Sequence, residues 1–184
     1  MKYTKVAVLL AVFALATVPM FGQVSATDTT PINVTRSESI TISVTTDLPT
    51  LTIAAGAMVS DTKDVIVSSA WNLKQTRTSG VQICAYASGD LVGVSAGTTG
   101  NVDIIPVNNI YITPDGGSAT ALGSGTACGV AGAVQFKNYV TASAAERKNF
   151  AGQSDTIPVQ VNLGATDVAA DDYTGTLNLI AYSN

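Results

Sequence analysis

Thr156-Ile157-Pro158-Val159-Gln160-Val161-Asn162-Leu163 decides the fold class, because apolar side chains at 157, 159, 161 and 163 alternate with Thr156, Pro158, Gln160 and Asn162. A period of two belongs to a strand with one face in a core and the other in water. Pro158 brings no N–H to a ladder, so this strand is expected at a sheet edge, or with that position turned away from its neighbour. The same period recurs outward along the chain. Ile40, Ile42 and Val44 alternate with Thr41, Ser43 and Thr45, and Leu51 and Ile53 continue the pattern after Pro49. Val65 and Val67 lead toward Trp71, while Val81, Ile83 and Ala85 alternate with Gln82, Cys84 and Tyr86. A last strand is expected over residues 173–182, with Tyr173, Leu177 and Leu179 along it.

Turn chemistry separates these runs at Ser88-Gly89-Asp90, Thr98-Thr99-Gly100-Asn101 and Pro114-Asp115-Gly116-Gly117, since Gly, Asn and Asp accept positive φ at little cost. Only residues 142–150 offer a helical turn or two, with Glu146, Arg147 and Lys148 in solvent. Many short strands with regular turn signals imply an all-β fold, an immunoglobulin-like antiparallel β-sandwich. Residues 88–130, rich in Gly, Ala and Ser, read as loops and short hairpins between core strands. Trp71, at the end of an apolar run, reads as core rather than as a ligand-stacking residue.

Residues 1–26 have the composition of a secretory signal: Lys2 and Lys5, an apolar run over residues 6–16, Pro19, and the small-residue site Val24-Ser25-Ala26. The apolar run is shorter than the roughly 20 residues a membrane-spanning helix needs. Three segments follow: a signal at 1–26, a polar leader at 27–39 and a sandwich domain at 40–184. Cleavage after Ala26 takes the net charge from −4 to −6, which favours neither nucleic acid nor anionic lipid as partner. No later stretch is long and apolar enough to span a membrane. The export route leads to the periplasm and on to the cell surface or beyond. In an oxidising compartment Cys84 and Cys128 are expected to pair, closing a long loop worth about 4 kcal/mol of chain entropy.

Charged residues make up 12% of the 184-residue chain, and histidine is absent. A histidine-based triad therefore has no base, and two cysteines are too few for a zinc site. Gly93-Val94-Ser95-Ala96-Gly97 and Ser60-Asp61-Thr62-Lys63 match the bare GxSxG and SxxK patterns, but the first has no histidine to act as its base and neither opens an expected helix. After the signal the only glutamates are Glu38 and Glu146, both among polar residues. The composition points to a non-enzyme without cofactor. Asp167, Asp171 and Asp172 cluster with the hard oxygens calcium prefers, but without a DxDxDG loop they read first as a solvated acidic turn. Asn33-Val34-Thr35 fits the N-glycosylation pattern and carries no assignment.

The terminal segments point to assembly. The last strand is apolar on both faces toward its end, and a strand so placed must pair within its sheet or present an adhesive edge. In the leader, Ile32 and Val34 share the phase of Ile40, Ile42 and Val44, so an extended leader can add as a strand to another edge. Arg36 and Glu38 hold the next positions in phase.

Trp71-Asn72-Leu73, the strand from Val81 to Ala87, and Asp172-Tyr173-Thr174-Gly175-Thr176-Leu177 before an apolar end together resemble the archaic chaperone–usher pilin subunits, the group that includes spore coat protein U-like domains. The likeness leaves residues 88–130 unmatched. It implies an incomplete sandwich whose missing strand comes first from a periplasmic chaperone and then from the leader of the next homologous subunit, with an outer-membrane usher as exit. Carried over, Ile32 and Val34 within residues 27–38 form the candidate donor strand. Leu177, Leu179, Ile180 and Tyr182 line or flank the candidate acceptor edge. The expected role is an exported, pilin-like structural subunit. The alternative is a self-complete secreted sandwich that binds a protein or carbohydrate through its 88–130 loops.

Overall fold

The computed structural model describes residue 32 and residues 34–77, 79–95, 103–166 and 168–183. The chain divides into two compact units, residues 1–35 and residues 36–184. The signal expected at 1–26 lies outside the described residues, as do residues 27–31 and 33 of the leader. Within the first unit Ile32, Val34 and Thr35 are exposed and belong to no strand.

The second unit is an antiparallel β-sandwich. Its strands are β1 (Ser39–Thr46), β2 (Lys63–Asn72), β3 (Val81–Ala87), β4 (Leu91–Gly93), β5 (Ile104–Ile105), β6 (Ile110–Ile112), β7 (Thr120–Ala121), β8 (Val134–Tyr139), β9 (Lys148–Val161), β10 (Tyr173–Thr174) and β11 (Leu177–Ser183). One layer has the order β1-β2-β9-β6-β7 and the opposing layer β11-β3-β8, while a small sheet β10-β4-β5 sits beside them. Between the layers, Val65 and Val67 of β2, Ile110 and Ile112 of β6, and Ile157 and Val159 of β9 meet Ala85 and Ala87 of β3 and Phe136 of β8. A second cluster gathers Trp71, Leu73 and Val81, with Ile40 and Tyr139 against it. A third gathers Ile105, Val161 and Leu163.

The alternating stripe behaves as its period demands, with Ile157, Val159, Val161 and Leu163 all buried. Of the two placements expected for Pro158 the edge is not the one found, since β9 is an interior strand flanked by β2 and β6; the proline is instead turned away from the paired part of its neighbour. Pro158 is tolerated there because the N–H and C=O of one residue point the same way in an antiparallel ladder. Its carbonyl accepts from Thr113 N at 3.1 Å, one residue beyond β6, so the missing N–H also falls past that strand's end.

Four expectations are corrected. Leu51 and Ile53 form no strand; Thr52 is tied across its loop to Asp61 through both backbone and carboxylate, and the two apolar side chains pack onto the cores from there. Residues 142–150 hold one closed turn before β9 begins. In it Ser143 Oγ accepts from Glu146 N at 3.2 Å and Glu146 Oε2 accepts from Ser143 N at 2.7 Å, the reciprocal arrangement of a capping box. Arg147 is buried rather than solvated, and its guanidinium donates to Thr141 O and Ala142 O. The expected last strand is split, because Tyr173 and Thr174 pair with β4 while Leu177 onward pairs with β3.

Residues 88–130 contain a core strand as well as loops, since Ile110 and Ile112 are buried in the five-stranded layer. Cys84 and Cys128 are bonded, with Cα atoms 5.5 Å apart, which fastens the far end of this region to β3. Trp71 is core: it is buried, its ring lies 5.1 Å from that of Tyr139, and its Nε1 donates to Glu146 O at 2.7 Å.

Candidate functional site

The two sides of the sandwich are finished differently. On the β6/β8 side, residues 113–133 cover the opening. There β7 pairs with β6, Leu122 is buried in the main core, and Asp115 N donates to Phe136 O at 3.2 Å while its carboxylate pairs with Lys137. On the opposite side, β1 borders one layer and β11 the other, and the two approach each other without joining into one sheet. β1 pairs with β2 from Ser39↔Asn72 to Thr46↔Ile66, and β11 pairs with β3 from Leu177↔Ala87 to Ser183↔Val81. A seam runs between these borders.

Side-chain burial follows the same division. No side chain of β1 or β11 belongs to the buried core. Ile40 and Ile42 are half-buried and Val44 is 47% exposed, although they carry the inward phase of β1. Along β11, Leu177 and Leu179 pack against the main cluster but stay half-buried. Thus the apolar stripes bordering the seam are only partly covered. Ile180 and Tyr182 alternate onto the other face of β11, with Ile180 opposite Cys84. Of the four expected acceptor residues, two therefore line the seam and two lie on its outer flank.

At the end where β1 begins and β11 finishes, Glu38, Ser39, Ile40, Leu73, Arg77 and Ser183 surround a cavity of about 270 Å³. Glu38 is held there. Its Oε1 accepts from Lys74 N at 2.8 Å and lies 3.4 Å from Arg77 Nε, and Oε2 stands 3.7 Å from Lys74 Nζ. The Lys74 N–H, with Arg77 and the Lys74 ammonium behind it, holds the carboxyl below the usual glutamate range. Just before it, Ser37 O accepts from Asn72 Nδ2 at 3.1 Å, and the Arg36 guanidinium lies 4.6 Å from the centre of the Phe150 ring. The candidate donor segment is shortened accordingly: residues 36–38 are bound to their own sandwich, so the leader free to act elsewhere ends at Thr35. Leu73, Arg77 and Ser183 were not legible as seam residues, because nothing in their local pattern places the end of β2 beside the end of β11.

Other candidate residues have structural tasks. Glu146 closes its own turn. Asp171 accepts from Ser95 N and Ser95 Oγ at 2.9 Å and from Asp172 N at 2.8 Å, and the Ser95 N–H leads the effects that lower its carboxyl. Asp167 lies outside the described residues, and so do Asn33 of the glycosylation pattern and the turn at 98–101. Among the described residues no group of carboxylates and cysteines has the arrangement of a metal site, and no helix is long and apolar enough to cross a membrane. No protein-family model matches the chain, and no curated protein matches it.

Proposed function

We propose that the protein is an exported, non-catalytic structural subunit that assembles with further copies of its chain by β-strand complementation at the β1/β11 seam. The observation that carries this reading is the nearness of two borders, each with a half-covered apolar stripe, while the far side is crossed by residues 113–133. Exposed backbone at a sheet border takes an added strand readily. The leader brings the matching chemistry in Ile32 and Val34, exposed at 87% and 86%. The Cys84–Cys128 bridge supports an oxidising compartment. By resemblance, a periplasmic chaperone guards the seam before assembly and an outer-membrane usher is the exit.

Magnitudes limit the contact. Two fully buried aliphatic anchors contribute about 3–6 kcal/mol, whereas association costs about 4–15 kcal/mol in lost freedom. The anchors alone do not hold a complex, so backbone bonds along β11, each worth about 0.5–1.5 kcal/mol net, must supply the rest.

Sedimentation of residues 27–184 and of residues 36–184 tests the proposal. The longer chain is expected to form polymers. The shorter one should stay a folded monomer that takes up a synthetic 27–35 peptide weakly. Self-association that persists after removal of 27–35 overturns the reading. A longer chain that is stable and monodisperse favours instead a self-complete binder acting through residues 88–130.

A further inference from the structure

Three consecutive residues in a polar stretch are each fixed to a different part of the same sandwich. Arg36 lies over Phe150 of β9, Ser37 O accepts from the Asn72 amide of β2, and Glu38 is clasped by Lys74 and Arg77 of the turn after β2. β1 follows at once, its Ser39 opposite Asn72. A segment needed only to connect would not require this. Each contact is weak by itself, an exposed ion pair being worth about 0–1 kcal/mol, but three in succession remove the rotational freedom of the residues between them. Val34, the nearer apolar anchor, is separated from Arg36 by Thr35 alone.

We propose that residues 36–38 form a rigid joint that sets the angle between each subunit and the copy whose seam receives its leader. This rests on the strand-complementation reading. If Ile32 and Val34 sit in a neighbour, Thr35 is the whole of the slack between that neighbour's sheet and the subunit's own clamp. Consecutive subunits then share one stiff strand path, and the assembly is a rod of defined pitch rather than a string of freely swivelling beads. Glu38 is central because both of its oxygens are engaged and its carboxyl is ionised at neutral pH.

The test images polymers of three chains spanning residues 27–184 by negative-stain electron microscopy and measures their persistence length. The chains are the unaltered protein, Glu38→Gln, and a variant with Gly-Ser-Gly-Ser between Thr35 and Arg36, an insert whose mean span is about 11 Å. Polymers are expected from all three, with persistence length reduced at least about twofold in the insertion variant and in the same direction for Glu38→Gln. Thermal unfolding of the two variants checks that each remains folded, and the insertion leaves every contact of the clamp intact. Polymers of equal stiffness from all three chains overturn the joint while leaving strand complementation standing. Absence of polymer from the unaltered chain overturns both.

Discussion

Trp71 concentrates several interactions at one position, filling the end of the core, packing on Tyr139 and donating to Glu146 O. Trp71→Ala is expected to cost about 3–5 kcal/mol, read as a lower midpoint in urea unfolding. Ser69 presents the opposite case. It is buried between Val67 and Trp71 on the inner face of β2, and its Oγ has no hydrogen-bond partner among the described residues. A buried hydroxyl without a partner costs more than it contributes, so Ser69→Ala is expected to be neutral or to stabilise by up to about 1 kcal/mol; a clear loss by the same urea measurement would contradict this. Gly80 is constrained by its backbone. It has φ 103°, and a Cβ there would meet Tyr139 O at 2.7 Å as well as the Asn138 amide oxygen. Gly80→Ala is expected to destabilise by about 1–3 kcal/mol, with a matching fall in Tm.

At the scale of elements, β9 shows where local pattern reading stops. Its second half is the stripe that decides the fold class, yet its first half, Lys148 to Asp155, has no alternation and was expected to be partly helical. Gly152, at φ 82°, sits where the pairing with β2 slips a register between Ser69 and Trp71. Ser69 faces Gln153 and Trp71 faces Asn149, so residues 150–152 of β9 stand opposite Ala70 alone, and the two extra residues interrupt the alternation while leaving the inward parity unchanged. The other element-scale device is the Cys84–Cys128 bridge, which spans a sequence separation of 44. Replacing both cysteines with alanine is expected to lower stability by about 2–4 kcal/mol. The same loss should follow when the unaltered protein is unfolded in reducing buffer, and a double variant as stable as the parent would show that the 88–130 region needs no staple.

Across the whole molecule, proton linkage shapes stability from both ends of the pH range. Glu38, Asp61, Glu146 and Asp171 are all held below their ordinary values, led by the Lys74 N–H, the Lys63 ammonium, the Ser143 N–H and the Ser95 N–H respectively. A depressed carboxyl stabilises the fold above its unfolded value, 4.5 for Glu and 3.8 for Asp, and that contribution fades as pH falls through the lower folded value. Tyr139 acts at the other end. Burial and then its hydrogen bond to Asp155 push the phenol above its ordinary 10.0, so its contribution is whole below that pH and is lost as pH rises beyond it. Urea midpoints are therefore expected to be flat between about pH 5 and pH 9 and to fall on either side; a midpoint unchanged at pH 3 would contradict the acid limb.

Alternation at 40–44, 65–67, 81–87 and 157–163 was enough to determine an all-β sandwich and most of its inner face, because strand period and burial are local properties of side-chain order. The bonding of the two cysteines also followed from their number and the expected compartment. Only the tertiary structure decided which strands are borders. β1 and β9 carry equally clean stripes, yet one is half-exposed beside the seam and the other lies inside the five-stranded layer. Strand order depends on contacts between residues far apart in the chain, where loop closure and packing of opposed faces outweigh local preference. For the same reason the sequence leaves open whether Pro158 stands at an edge or is turned away from its neighbour, and the clamp on Glu38 is invisible until the turn after β2 comes to rest beside the root of β1.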